Sequence, residues 1–194
     1  MKNIASLCVY CGASNSADPA FLDAASRLGD LMARNGIALV YGGGRMGLMG
    51  RVADAVLAGG GQVTGIIPEH LYRIEVQHED VSDLVVVQTM HERKAEMFRR
   101  SDAFCVLPGG IGTLDEMVEI ITWRDLQLHD RPVVVVNQDG YFTPFRTLLD
   151  HMIRHRLAHP RVAGHLTWVH GVEEVLPALA VEPAPCRPAR PERI

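Results

Sequence analysis

Ala103-Phe104-Cys105-Val106-Leu107-Pro108-Gly109-Gly110-Ile111-Gly112-Thr113-Leu114-Asp115-Glu116 is the stretch on which the reading of this chain turns. Five apolar residues make a strand, three glycines in four positions make a turn, and a helical pattern follows. A strand that feeds a helix through glycines leaves backbone N–H groups aimed at one point, at the positive end of a helix dipole, and that point suits a phosphate. Glycine matters there because a side chain would block close approach of an anion. Glu116 lies one turn into the helix, so a carboxylate sits close to the anion seat. A second reading competes: Thr113-Leu114-Asp115-Glu116 also fits a capping box, in which Thr113 caps the helix and Glu116 reaches back. A Glu116 spent on capping is not a catalyst, and the motif alone leaves both readings open.

Working outward, apolar β-rich runs alternate with helical patterns. The strand candidates are Ile4 to Tyr10, Ile37 to Tyr41, Gln62 to Ile67, Leu84 to Val87, Ala103 to Leu107 and Val133 to Asn137. Helix candidates fall at about 18–35, 46–59, 91–101, 114–127 and 142–157, taking periodicity and glycine punctuation together. Val133-Val134-Val135-Val136 has no polar alternation, as in a strand buried on both faces. The rhythm predicts an α/β fold: a Rossmann-like, doubly wound, mostly parallel sheet in a single domain over residues 1–180. There is no internal repeat. Residues 181–194 read as a disordered tail, since the last 12 hold four prolines and three arginines.

Composition narrows the function. The chain has 194 residues, 47% of them apolar and 22% charged, with a net charge of -4. That charge argues against a nucleic-acid surface, which needs a basic excess. No apolar run reaches the length of a membrane span, and Met1-Lys2-Asn3-Ile4 leads into a strand-like run without a secretory apolar segment. Cys8, Cys11, Cys105 and Cys186 are too few and too irregular for a disulfide framework, so a cytoplasmic location is expected. Lys2 and Lys94 are the only two lysines among 19 basic residues.

Cys11-Gly12-Ala13-Ser14-Asn15 follows the first strand, Tyr41-Gly42-Gly43-Gly44-Arg45-Met46-Gly47 the second, and Pro108 to Thr113 the fifth. In a parallel sheet all three turns open on one edge, where nucleotides bind. Gly42, Gly44 and Gly47 satisfy G-x-G-x-x-G with Glu69 further on, but after the second strand, where the dinucleotide fingerprint normally follows the first. No glycine cluster is followed by G-K-[ST], which argues against a P-loop ATPase. In Met90-His91-Glu92-Arg93-Lys94-Ala95-Glu96, Arg93 and Lys94 either form a solvated face paired with Glu96 and Glu92, or present Arg93 to an anionic substrate. Cys8-Val9-Tyr10-Cys11 lacks the second pair a zinc site needs and reads as core cysteine. His151, His155 and His159 recur at helical spacing and read as a polar face.

Pro108 to Glu116 reads P-G-G-x-G-T-x-x-E. With Met90-His91-Glu92-Arg93-Lys94 it resembles the signature of the LOG ("lonely guy") family, cytokinin riboside 5′-monophosphate phosphoribohydrolases. Cys11-Gly12 with Ser14, Gly42-Gly43-Gly44 with Gly47-Leu48-Met49-Gly50, Thr122-Trp123, Asp130-Arg131-Pro132, Asn137 and Asp139-Gly140-Tyr141 extend the similarity over roughly residues 3–175. The resemblance implies a homodimer with sites at or near the subunit interface. It also implies hydrolysis of the N-glycosidic bond of a nucleoside 5′-monophosphate, to a free base and ribose 5-phosphate. No metal or organic cofactor is implied, and neither nucleic acid nor membrane as a partner.

By the same resemblance Arg93 and Glu116 are the catalytic pair, and Gly110, Ile111, Gly112 and Thr113 hold the phosphate. Gly109, Leu114, Asp115, Lys94, Glu75, Thr122, Met90, Gly12, Ser14, Gly43 and Gly44 line the substrate site. The chain departs from the family at Ala13, where Ser is frequent, at Ile111, where Tyr is frequent, and at Gln127, where Gly is common. Two other functions compete. One is a carrier of nucleotide or molybdenum cofactor, a property of related Rossmann-like proteins. The other is a pyridoxal phosphate-dependent lysine decarboxylase, which would need Lys94 as its Schiff-base lysine.

Overall fold

The structure, a computed structural model, describes residues 4–72 and 81–181. Seven parallel strands form one sheet, and its order places the site. The strands are β1 (Ser6–Tyr10), β2 (Ala38–Tyr41), β3 (Val63–Pro68), β4 (Asp83–Val87), β5 (Ala103–Val106), β6 (Val133–Val136) and β7 (Thr167–Val169). They lie in the order β4-β3-β2-β1-β5-β6-β7. The chain winds outward from β1 to β4, then returns to lay β5 on the other side of β1. The register there runs from Leu7 opposite Ala103 to Tyr10 opposite Val106. At such a reversal the crossovers leave in opposite directions, and a crevice opens beyond the strand ends.

The helices are α1 (Pro19–Arg34), α2 (Gly47–Ala58), α3 (Glu69–Tyr72), α4 (Met90–Arg99), α5 (Ile111–Asp125), α6 (Thr143–Arg154) and α7 (Val175–Ala180), with short 3₁₀ turns at Gln138–Gly140, Pro160–His165 and Val172–Glu174. Two apolar layers result. Leu7, Val9, Leu39 and Cys105 face α1, α2 and α7; Cys8, Tyr10, Phe104 and Val135 face α4, α5 and α6. The strands β5 and β6 are buried along their whole length, which explains their unbroken apolar runs.

The expected doubly wound sheet is present, with every strand pair parallel. The sequence reading did not include β7 and α7, whose three and six residues carry too little periodicity to register. It also began α5 three residues late. Helix α6 stops at Arg154, and Arg156 turns with φ 61°. Gln127 has φ 62° at the end of α5. Its N–H donates to Arg124 O at 3.0 Å and the N–H of Leu128 to Trp123 O at 2.9 Å. That is a Schellman ending, in which the left-handed residue is usually glycine; here Gln127 takes that conformation. The stretch 182–194, taken from sequence as part of a disordered tail, lies outside the described residues.

Candidate active site

The two loops at the reversal of strand order are bound to each other. The N–H of Gly12 donates to Pro108 O at 3.0 Å and that of Leu107 to Tyr10 O at 2.9 Å. The first loop is also stitched onto the start of α2. Gly12 O accepts from the amides of Leu48 and Met49, at 3.0 and 3.3 Å, and Asn15 Oδ1 accepts from Gly47 N at 2.7 Å. The first amides of α2 are thus taken by protein groups. This removes the physical basis of a dinucleotide fingerprint at Gly42, Gly44 and Gly47, because that motif works by offering free amides to a pyrophosphate.

Helix α5 is different. Its N-cap, Gly110, is extended (φ -85°) and no side chain caps the helix. The first intrahelical bond is Leu114 N to Gly110 O at 3.1 Å, so the amides of Ile111, Gly112 and Thr113 precede it. A Cβ built on Gly110 or Gly112 would meet nothing within 4 Å. Neither glycine has a positive φ, so neither backbone geometry nor protein packing calls for glycine there. What their bareness leaves is open space over a helix N-terminus. Gly109 is the opposite case: a Cβ on it would lie 2.1 Å from Thr113 Oγ1 and 2.8 Å from Gly12 N. The capping-box reading fails here. Thr113 is the third residue of α5, buried and packed against Gly109, and Glu116 does not reach back.

Glu116 instead meets Arg93. The side-chain-capped helix of this region is α4, where the N-cap Thr89 Oγ1 accepts from Glu92 N at 3.1 Å and Glu92 Oε2 accepts from Gln88 N, just before the cap, at 2.8 Å. Arg93, the next residue, turns inward. Its Nε donates to Ile66 O at 3.1 Å, its Nη2 to Gly42 O at 3.2 Å, and its Nη1 pairs with Glu116 Oε1 at 3.2 Å; both side chains are only 10% exposed. Gly42 makes this possible, since a Cβ there would lie 1.9 Å from Nη2. Burial pushes the Glu116 carboxyl up to about 7, outweighing the downward pull of Arg93; Asp115 and Glu119 add to the rise and Lys94 opposes it. Near neutral pH the carboxyl is therefore available in both protonation states, as a general acid or base needs.

Lys94 does not pair with Glu92. Its Nζ lies 3.1 Å from both Asp115 Oδ2 and Glu119 Oε1, bracing α4 against α5. Glu96 pairs with Arg99 and Arg100 instead. Partial burial disfavours the Lys94 charge, but the Glu119 and Asp115 hydrogen bonds outweigh it and raise its pKa. A protonated, doubly paired ammonium is a poor Schiff-base nucleophile.

Gly12, Ser14, Gly109 and Gly110 line a cleft of about 350 Å³ with Ala17, Phe21 and Tyr141. Gly43 (φ 79°) and Gly44 follow β2 and do not line this cleft; Gly43 packs against Ile66 and Ile67. Met90 opens α4 and is 39% exposed; Ile111 opens α5 and is 82% exposed. Leu114 packs against the apolar layer under α5. Thr122 stands apart: its hydroxyl donates to Val118 O at 2.7 Å, and it faces a separate apolar groove between α5 and α6. Glu75 lies outside the described residues. Gly42, Phe21 and Asn15 were not singled out for these roles from sequence. The register of β2 beneath α4, which would have shown Gly42 facing Arg93, is not visible locally.

The remaining clusters are structural. Cys8 faces one apolar layer and Cys11 the other, so the C-x-x-C pair does not converge. His151 and His155 lie with ring centroids 4.3 Å apart, but His159 has left the helix and caps the next turn through Nδ1. Among the described residues no three His, Cys, Asp or Glu side chains gather as a metal site.

Fold and site together define a Rossmann-like α/β protein with an open helix N-terminus beside a buried Arg–Glu pair. Residues 49–179 match the family model described as possible lysine decarboxylase. The chain is 49% identical over 144 residues to the probable cytokinin riboside 5′-monophosphate phosphoribohydrolase LOGL1 of Oryza sativa subsp. japonica, covering 74% of this chain and 65% of that protein. It is 42% identical over 180 residues to the cytokinin riboside 5′-monophosphate phosphoribohydrolase LOG3 of Arabidopsis thaliana, covering 93% and 83%. This chain belongs to the LOG family. It spans 60–65% of the length of the first rice relatives it matches. Its fold is similar to that of the molybdenum cofactor carrier protein of Chlamydomonas reinhardtii (TM-score 0.70, 20% identity, covering 91% and 96%). The molybdenum cofactor binding protein of Rippkaea orientalis is also similar (TM-score 0.67, 21% identity, covering 91% and 96%). At these identities the likeness concerns the fold.

The two kinds of glycine in the anion loop separate experimentally. Gly109→Ala is expected to cost about 1–3 kcal/mol of unfolding free energy through overpacking. Gly112→Ala, inside a helix and facing open space, is expected to be neutral or stabilising by up to about 1 kcal/mol. Urea denaturation of both variants reads the difference.

Proposed function

We propose that this protein hydrolyses the N-glycosidic bond of a nucleoside 5′-monophosphate with an adenine-type base, a cytokinin riboside 5′-monophosphate or AMP, releasing the base and ribose 5-phosphate. The observation that carries the reading is the buried Arg93–Glu116 pair, one helical turn below the uncapped N-terminus of α5. The names of the relatives in rice and Arabidopsis agree with it.

The phosphate sits on the amides of Ile111, Gly112 and Thr113, with Gly110 and Gly112 leaving it room. That contact is remote from the bond that breaks, so it positions the ribose and favours monophosphates over nucleosides. Glu116 follows Thr113 by three residues, a rise of roughly 5 Å along the helix, which brings its carboxylate toward the sugar. As the C1′–N bond breaks, its electron pair leaves with the base nitrogen and positive charge builds on the ribose. Ionised Glu116 stabilises that charge and takes a proton from the water whose oxygen bonds to C1′. The departing base nitrogen takes up one proton, from Glu116 or from solvent, so the free base leaves neutral and the carboxylate is restored. Arg93 holds Glu116 in place. Lys94, Asp115 and Glu119 keep α4 and α5 in register around the pair.

Two rival functions have less support. A carrier of nucleotide or molybdenum cofactor has no use for a buried acid–base pair. A lysine decarboxylase needs a free lysine amine, and Lys94, the only lysine among the described residues, is held by two carboxylates.

A homodimer is part of the proposal. Val118, Leu148 and Met152 are exposed apolar residues of α5 and α6. Between them lies a groove of about 170 Å³ that Thr122 and Phe145 help to line. Covering this face with a second copy buries it and puts Thr122 at the interface rather than in its own cleft. Light scattering is expected to give twice the chain mass; the mass of one chain at working concentration overturns the dimer. A cytoplasmic location agrees with the free, buried thiols of Cys8, Cys11 and Cys105. Among the described residues no helix is long and apolar enough to cross a membrane.

Product analysis after incubation with AMP and, separately, isopentenyladenosine monophosphate tests the reaction, and free base with ribose 5-phosphate is the expected result. Glu116→Gln is expected to lower turnover at least about 100-fold while nucleotide affinity stays within a few-fold. Activity retained in that variant, or no base from either nucleotide with the wild type, counts against the assignment.

A further inference from the structure

Tyr141 lines the cleft and is also built into the anion loop. Its phenol donates a hydrogen bond to Gly109 O at 2.6 Å. The ring meets Phe21 edge-on at 5.4 Å and Phe142 at 5.0 Å. The loop that carries it, after β6, is tied down on several sides. Asn137 N donates to Val169 O at 2.8 Å, Asn137 Oδ1 accepts from Phe142 N at 2.7 Å, Asn137 Nδ2 donates to Thr143 Oγ1 at 3.2 Å, and Gln138 Nε2 donates to Ala20 O at 3.3 Å. The loop also holds Asp139 and Gly140 at positive φ, 52° and 75°. The phenol is therefore delivered to Gly109 by a fixed frame.

Gly109 O belongs to the Gly109–Gly110 peptide, the hinge between β5 and α5. With glycine on both sides, that plane rotates at little steric cost. Its carbonyl and its N–H point in opposite directions across a trans peptide, so a flip exchanges an acceptor and a donor in the wall of the anion seat. The Tyr141 phenol makes a bond to the carbonyl in only one of the two orientations. A side chain on Gly109 would collide with Thr113 and Gly12, so the position stays bare and the freedom of its peptide plane is kept.

We infer that Tyr141 is a positioning residue for the phosphate, locking the Gly109–Gly110 peptide so that the N-terminus of α5 presents donors to the anion. The inference rests on the phosphate seat proposed above and adds the element that keeps it in order. It assigns Tyr141 to phosphate affinity and not to the chemical step.

Tyr141→Phe keeps the ring and its contacts with Phe21 and Phe142 and removes only the hydroxyl. Inorganic phosphate binding by calorimetry and AMP hydrolysis are measured on wild type and variant. The variant is expected to bind phosphate roughly three- to tenfold more weakly and to raise KM for AMP by a similar factor, with kcat within about twofold, as loss of one hydrogen bond predicts. Unchanged phosphate affinity and unchanged KM overturn the positioning role, as does a fall in kcat at constant KM. A wild-type protein that binds neither phosphate nor AMP overturns the proposed function itself, so the two failures are distinguishable. Phe21→Leu, which disturbs the ring's packing and leaves the phenol, is expected to have a smaller effect on phosphate affinity than Tyr141→Phe. An equal effect overturns the claim that the hydroxyl is the agent.

Discussion

A guanidinium and a carboxylate removed from water are costly unless each is met by the other and by further hydrogen bonds. In this protein Arg93 spends Nη1 on Glu116, Nε on Ile66 O and Nη2 on Gly42 O. One carbonyl lies just past the end of β2 and the other within β3, so a single side chain of α4 ties both strands together. Gly42 is bare because the guanidinium occupies the space a methyl would fill. Lys94, one residue on, makes the matching outer brace through Asp115 and Glu119. The pair is thus held from the sheet below and from two helices beside it. Burial keeps Glu116 near neutrality where an exposed carboxylate would be fully ionised.

Helix α5 joins the two halves of the site. Its first turn supplies amides that no side chain caps, and its second turn supplies Glu116. The reversal of strand order at β1 and β5 is what puts this helix at the crevice. The start of α2, at the same sheet edge, is closed off by Gly12 and Asn15. Of the two, α5 is the one whose first amides have no protein partner among the described residues.

Much of this was legible in the chain itself. The alternation of strands and helices was clear because β5 and β6 are buried on both faces and read as unbroken apolar runs. The β7 strand escaped because Thr167–Val169 is too short for any period. The start of α5 was misplaced because sequence rules weight Thr113 as a cap, whereas extended Gly110 starts the helix with no side chain at all. Local charge spacing offered Glu92 and Glu96 as partners for Arg93 and Lys94. The structure pairs both across helices, and Arg93 also reaches backbone atoms 27 and 51 positions away. Such partners follow from strand order, which no local window contains. Tyr141 was visible only as part of a turn motif after β6; the signal that it reaches Gly109 is that both turns open on the same sheet edge.

The account stands on Glu116 being a buried carboxyl that changes protonation near neutral pH and limits the reaction when it does. The most direct measurement is the carbon-13 NMR titration of the Glu116 carboxyl, set beside the pH profile of kcat/KM for AMP. Its folded pKa is raised, so the carboxyl holds its proton below about 7 and releases it above. As the base, it predicts a rate that rises with pH through the same value. A carboxyl titrating in the ordinary range near 4.3, or a rate profile with no inflection where Glu116 titrates, would contradict the account.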